Sequence, residues 1–344
     1  MKIIVDAMGG DNAPLEIVKG ALAGQKHWGV DIVLTGDENA IREALTRCGQ
    51  PEVPAGMEII STSQTVEMCD DPATVFRRKK DTSMGVGLTM LREGQGDALV
   101  SAGSTGALLT GATLITKRIH GIRRAALAPV LPNGDAGVML IDCGANADCT
   151  PEYLLQFAYM GSYYAQRFLG IQNPRVGLLN IGTEPSKGMD LQKAAHALLT
   201  QAHEAGRIHF IGNIEGREAI SQGVDVLVTD GFTGNIFLKT MEGAASLFTH
   251  ALKDMLLGST KTKLAALLLK DSLAGFKKRF DANEVGGTAL LGISQPVIKA
   301  HGSSNGYAFF NAIRQAKVVA EGDIVGDIAA NVDHMSLPRG KKEG

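Results

Sequence analysis

Six stretches of this sequence set glycine beside small hydroxyl, amide or carboxylate side chains, each behind a short apolar run and ahead of a longer helical one. They are Asp6-Ala7-Met8-Gly9-Gly10-Asp11, Ser101-Ala102-Gly103-Ser104-Thr105-Gly106, Asp142-Cys143-Gly144-Ala145-Asn146, Asn180-Ile181-Gly182-Thr183-Glu184-Pro185-Ser186-Lys187-Gly188, Thr229-Asp230-Gly231-Phe232-Thr233-Gly234-Asn235 and Lys299-Ala300-His301-Gly302-Ser303-Ser304-Asn305. Glycine lets the backbone approach a ligand, hydroxyls and amides donate hydrogen bonds, and the free N–H groups of a following helix favour an anion. Turn and capping duties account for any one such junction. All six together point to an anion site. Lys187 stands as a lone cation in its junction, where a point charge can hold phosphate or a developing oxyanion; the plain alternative is a surface lysine.

Other chemistries find less in the sequence. No GxGxxG follows a strand pattern and no GxxxxGK[ST] is present, so nucleotide-dependent dehydrogenases and kinases are disfavoured. His196 and His203 share a helix face without a third ligand nearby, and Asp6 and Asp11 read equally well as strand-end and capping residues, so no metal is expected. There is no GxSxG elbow, and Cys143 has no histidine among its neighbours to activate it. The run Arg77-Arg78-Lys79-Lys80 is either a solvated helix end or a docking patch for an acidic partner.

These junctions need a scaffold, and the pattern supplies one. Short β-rich runs at 2–6, 31–34, 58–61, 98–101, 137–142, 175–180, 209–211, 225–229 and 297–299 alternate with helical stretches at 14–27, 39–48, 105–117, 152–168, 189–205 and 304–321. That alternation is the mark of parallel βαβ units, whose loops gather at the carboxyl edge of the sheet, where ligands bind. Pro14 suits the first position of a helix, with Asp11 and Asn12 as caps. Glycine is abundant, 42 of 344 residues, against roughly 7% in average proteins. The start Met1-Lys2-Ile3-Ile4-Val5-Asp6 enters a strand pattern at once, which leaves no signal peptide, and no apolar run is long enough for a membrane span. Four cysteines without a CxxC pair read as reduced thiols, and a net charge of −2 argues against nucleic acid. The expected organisation is a single α/β/α domain over 1–337, with a polar tail at 338–344.

One region breaks the alternation. From 234 to 280 no strand signal appears, only two helical stretches joined near Gly258-Ser259-Thr260. Between His250 and Phe280 the net charge is +5, while the rest of the chain is acidic. Leu264, Leu267 and Leu268 stand among these lysines. The simplest picture is an amphipathic, basic helical hairpin at about 246–282 that projects from the body.

Taken together, the junctions resemble those of the bacterial phosphate acyltransferase family, the acyl-carrier-protein:phosphate transacylases of phospholipid synthesis. Arg77-Arg78-Lys79-Lys80-Asp81, Gly286-Gly287, Leu290-Leu291-Gly292 and His301-Gly302-Ser303-Ser304 resemble family blocks as well, so the likeness spans essentially the whole chain. The sequence departs at Ser104, where the family usually has Asn, and at Cys143, where it has a Val-like residue. The resemblance implies a homodimeric, Rossmann-like three-layer α/β/α fold with a mostly parallel sheet and neither metal nor nucleotide cofactor. It implies transfer of a fatty acyl group from acyl carrier protein to inorganic phosphate. On that basis Lys187 and Asn235 are expected to be catalytic, with His301 a candidate for protonating the departing thiolate. Ser104, Thr105, Gly106, Thr183, Thr233 and Gly234 would cradle phosphate, and Arg77, Arg78 and Lys79 would dock the carrier protein. The hairpin leucines would meet an anionic membrane surface or the other subunit. The setting would be the cytoplasmic face of the membrane, beside a glycerol-3-phosphate acyltransferase. A non-catalytic anion-sensing scaffold and a short-chain phosphotransacetylase acting on coenzyme A esters are the alternatives.

Overall fold

The computed structural model describes residues 1–133, 137–220, 223–270, 272–273, 275 and 282–335. Its strands are β1 (Lys2–Asp6), β2 (Asp31–Gly36), β3 (Met57–Ser61), β4 (Ala98–Ser101), β5 (Ala126–Ala128), β6 (Val130–Leu131), β7 (Val138–Ile141), β8 (Arg175–Asn180), β9 (His209–Glu215), β10 (Val226–Val228), β11 (Gly287–Leu291) and β12 (Val297–Ala300). The helices are α1 (Leu15–Trp28), α2 (Glu38–Arg47), α3 (Val75–Arg78), α4 (Ser83–Arg92), α5 (Thr105–Gly111), α6 (Pro151–Phe168), α7 (Asp190–Glu204), α8 (Gly231–Leu257), α9 (Thr260–Leu268), α10 (Gly306–Glu321) and α11 (Ile324–Ala330). A π turn over Ala112–Thr116 continues α5.

The architecture is α/β with mostly parallel strands, as expected, but the strands are shared between two sheets. One has the order β3-β2-β1-β4-β12-β11-β5 and the other β6-β7-β10-β8-β9. Runs such as Ile3-Ile4-Val5 are fully buried, as strands covered on both faces must be. The three strands without a clear sequence signal, β5, β6 and β11, are those that pair only antiparallel. Strands β5 and β6 are short, and Pro129 alone separates them as the chain passes from one sheet to the other. Helix α4 escaped the periodicity because Met84, Leu88, Leu91, Gly85 and Gly87 bury it on nearly every side. One apolar cluster runs from Ile3, Val5 and Val100 through Phe309 on α10 and Phe157 on α6 to Ile141 and Val228.

Each sheet reverses its winding once, and this decides where a ligand can enter. In the larger sheet the chain leaves β1 towards β2 and β3, then returns to β4 on the other flank, so the loops after β1 and β4 part. In the smaller sheet β8 leads out to β9, and β10 returns on the opposite side of β8. Crevices at such reversals, at the carboxyl ends of the strands, are where open α/β sheets bind ligands.

Two local expectations need correction. Pro14 precedes the first turn of α1 and supplies no side-chain cap. Asn12 does not cap it either: its side-chain amide donates to the Ser303 carbonyl at 3.1 Å and the Ser304 carbonyl at 3.3 Å, tying the β1 loop to the β12 loop. The hairpin is present as α8 and α9, joined at Gly258 and Ser259, and only Gly231 and Gly234 of α8 are buried. Among the described residues its apolar side chains face outward, with Phe248 72% and Leu268 81% exposed. The part of the expected hairpin at 271, 274 and 276–281, and the tail at 338–344, lie outside the described residues. Among the described residues no helix is long and apolar enough to cross a membrane.

Candidate active site

Lys187 stands on the loop after β8 and Asn235 in the first turn of α8 after β10, on the two sides of the crevice between these strands. The β8 loop is built around Asn180, whose side-chain Oδ1 accepts from the Ile181 N–H at 2.8 Å while its Nδ2 donates to the Lys187 carbonyl at 3.1 Å. The side-chain amide of Asn213 holds the same loop through the Glu184 carbonyl at 2.8 Å. The Lys187 stem folds over Gly182, where an added methyl would come within 2.9 Å of it. Among the described residues the exposed Lys187 ammonium makes no ion pair.

Across the crevice, α8 begins in a tightly fitted corner. Asp230 caps it, accepting from the Thr233 N–H and the Thr233 hydroxyl, both at 2.8 Å. The Gly231 N–H donates to the Asn146 carbonyl at 2.8 Å. An anion therefore finds those donors already engaged, and the contact expected of Thr233 is met by Asp230 instead. Gly234 is buried with no space for a side chain: a methyl there would lie 2.0 Å from the Asp142 carbonyl oxygen. That close approach carries Asn235 to the Gly144 loop, where a side chain at Gly144 would come 3.6 Å from the Asn235 amide. Gly144 also has a φ of 89°, which glycine tolerates best.

The corner is locked by Asp142, a residue the sequence reading passed over. Its carboxylate accepts from the N–H groups of Leu127 at 2.9 Å and Cys143 at 2.7 Å, and from both the backbone and the side chain of Asn146. Leu127 belongs to the larger sheet and Asp142 ends β7 of the smaller one, so this side chain joins the two. Burial pushes the Asp142 carboxyl above the usual carboxylate range, against these hydrogen bonds. Burial also raises the Cys143 and Cys149 thiols, each to about 12, so neither supplies a thiolate near neutral pH.

At the reversal of the larger sheet, Ser104 caps α5, accepting from the Ala107 N–H at 3.4 Å and keeping its own hydroxyl proton to donate. Thr105 is exposed, as is Thr183 away on the β8 loop of the smaller sheet, and Gly106 packs towards Pro72, 3.0 Å from where a side chain would begin. At the end of β1 in the same sheet as Ser104 lies Asp6, 1% exposed, accepting from the Ser83 and Ser101 hydroxyls at 2.6 Å each. His301 is exposed, and its Nδ1 accepts from the Ser303 N–H at 3.3 Å, which leaves the neutral ring's proton on Nε2. The charge of Lys239 on α8 acts both on Cys143 and on Lys299 at the end of β12.

Comparison with known proteins decides the family. The model of the family described as "Fatty acid synthesis protein" matches residues 1–326. The phosphate acyltransferase of Thermoanaerobacterium thermosaccharolyticum is 45% identical over 333 residues, covering 97% of each chain. That of Oceanobacillus iheyensis is 46% identical over 334 residues, covering 97% of this chain and 98% of the relative. The chain belongs to the phosphate acyltransferase family. It is an acyltransferase, and its family is one of lipid synthesis. A phosphotransacetylase from Streptococcus pyogenes shares the fold, with a TM-score of 0.61 at 18% identity over 93% of this chain and 94% of that one.

Arg77 and Arg78, expected to dock a partner of this acyltransferase, are exposed on α3. Lys79 differs: its ammonium is held by Asp70 at 2.6 Å and the Thr65 carbonyl at 3.1 Å, so its charge is spent within the fold. Asp142 was not singled out beforehand, and Asp6 was weighed only as a strand-end, capping or metal residue and not as part of a buried polar row. A charged residue closing a wholly apolar strand, as in Ile3-Ile4-Val5-Asp6 and Met139-Leu140-Ile141-Asp142, is the signal that marks them.

Proposed function

We propose that this protein moves a fatty acyl group from the thioester of acyl carrier protein to inorganic phosphate, releasing an acyl phosphate for phosphatidic acid synthesis. The observation that carries this reading is that Lys187, on the loop after β8, and Asn235, in the first turn of α8 after β10, keep their side-chain donors unengaged among the described residues, while the Cys143 and Cys149 thiols are too basic to attack. A site with no activated side-chain nucleophile suits a nucleophile that arrives already charged, and phosphate dianion is one at neutral pH. Its attack gathers negative charge on phosphate and on the carbonyl oxygen together. A fixed ammonium and an amide dipole offset that charge, each donor contributing on the order of 3 kcal/mol. Ser104, Thr105 and Thr183 supply further hydroxyls. Incubation with acyl carrier protein thioester and phosphate, followed by trapping with hydroxylamine, tests the reading: absence of a phosphate-dependent hydroxamate refutes it.

The exposed hairpin favours a large acyl donor and a surface-bound setting over a short-chain coenzyme A ester. Lysines flank its outward leucines, a composition that suits an anionic membrane surface, where a water-labile acyl phosphate is best handed to a membrane glycerol-3-phosphate acyltransferase. The Leu267→Glu/Leu268→Glu variant is expected to lose flotation with anionic vesicles while keeping activity in solution. Dissociation of a dimer with flotation unchanged would assign the stripe to a subunit interface instead.

Arg77 and Arg78 suit an acidic carrier protein. Reversing both charges is expected to slow association several-fold and flatten its salt dependence, with the chemical step unaltered. Stopped-flow association across a salt series measures this. An unchanged salt profile makes α3 an ordinary solvated surface.

A further inference from the structure

Asp6, Ser101 and Lys299 lie side by side across three adjacent strands. In the parallel register Asp6 stands opposite Ser101, and Ser101 opposite Lys299, so all three side chains share one face at the carboxyl edge of β1, β4 and β12. This row closes the reversal point of the larger sheet. Three of the glycine-bearing loops converge on it: an added methyl on Gly10 would lie 3.0 Å from the Gly302 carbonyl and 3.4 Å from that of Ala102. The Lys299 ammonium donates to the Ala102 carbonyl at 3.3 Å and to that of Ala300. Its third N–H has no partner among the described residues.

The charges around Lys299 come from every side. Asp6 on β1 and Asp11 on the β1 loop favour its protonated form, and Lys239 on α8 disfavours it. His301 lies two residues on but turns its Nδ1 to Ser303. Burial outweighs the two carboxylates and lowers Lys299 to about 8. The ammonium is thus charged at neutral pH, yet holds its proton about as tightly as a thiol does.

We propose that Lys299 is a catalytic residue that gives its proton to the sulfur atom leaving the acyl thioester. The assignment rests on the acyl-to-phosphate reading above. A phosphate oxygen bonds to the acyl carbon, and the C–S bond then breaks with its electron pair going to sulfur. The sulfur takes the proton from Lys299, giving a free thiol and a neutral amine. The P–OH proton of the new acyl phosphate returns to the amine, so the cycle closes without a co-reactant. A donor matched in acidity to the group it protonates is the efficient case for general acid catalysis.

The test is turnover against pH for the native protein, Lys299→Met and Lys299→Arg, using the hydroxylamine trap. The native enzyme is expected to lose turnover as pH rises through about 8, where the amine gives up its proton. Both variants should be slower by about 10²-fold and lack that limb, because arginine keeps the charge but releases no proton there. An arginine variant near native speed overturns the proposal, since charge alone would then suffice. Should the variants not fold, labelling of Lys299 in the native protein by fluorodinitrobenzene, followed by peptide mass spectrometry across pH, gives its own titration. A midpoint at the kinetic limb supports the assignment, and one near that of an ordinary lysine overturns it. A native protein that forms no hydroxamate refutes the function along with the proposal. An active one with a fast arginine variant refutes the lysine alone.

Discussion

Lys187→Ala lowers turnover by about 10² to 10³-fold and leaves the melting temperature within a degree or so of the native value. The side chain is exposed and makes no ion pair among the described residues, so its loss removes nothing the fold depends on. In the reaction proposed above, what it removes is a full charge where phosphate and carbonyl oxygen become jointly anionic. That interaction strengthens as charge develops, so kcat and kcat/KM should fall together. Asn235→Ala is expected to follow the same pattern more mildly, because an amide dipole is weaker than a charge. Near-native turnover with carrier protein still bound would remove Lys187 from the chemistry. A rise confined to the phosphate KM in the Asn235 variant would make that residue a ground-state contact.

Gly234→Ala destabilises the protein by about 3 kcal/mol and lowers its melting temperature by roughly 4 °C. The added methyl would occupy a point 2.0 Å from the Asp142 carbonyl oxygen and 2.9 Å from the Thr229 methyl group. A backbone carbonyl cannot rotate aside as a flexible side chain does, so α8 has to lift from β7. Asn235 moves with it, and turnover should fall further than the stability loss explains. Gly243→Ala is the matched control, on the same helix with open space around the position. There the expected change is neutral to slightly stabilising, since alanine is the better helix former. Equal melting temperatures for the two variants, measured by circular dichroism, would mean that the corner yields more easily than its packing implies.

Much of this architecture could be read from local pattern. Val226-Leu227-Val228 or Lys2-Ile3-Ile4-Val5 is a strand because apolar β-formers lie between turn residues, and that information is contained within a few positions. The hairpin was legible for the same reason. A long helical run that charges interrupt in step, beside a loop at Gly258-Ser259, needs no distant partner to be recognised. Antiparallel β5, β6 and β11 were not legible, because runs of two or three residues, or one that opens on Gly287-Thr288, become strands only when a neighbouring edge supplies their hydrogen bonds.

The sequence by itself determined the chemistry on offer: a βαβ alternation, six glycine-bearing junctions, a lone lysine, Lys187, in one of them and cysteines without an activating partner. These follow from residue type and short spacing, which the chain carries wherever it folds. Tertiary structure alone decided the division into two sheets, the engagement of Thr233 by Asp230 and of Lys79 by Asp70, and the clasp by which Asp142 reaches Leu127. It also set Lys299 in one row with Asp6 and Ser101, although 293 positions separate the first and last in the chain. The reason is physical. Whether a polar group faces solvent, a partner or a buried row depends on which strands become neighbours, and burial of apolar surface across the whole molecule selects those neighbours.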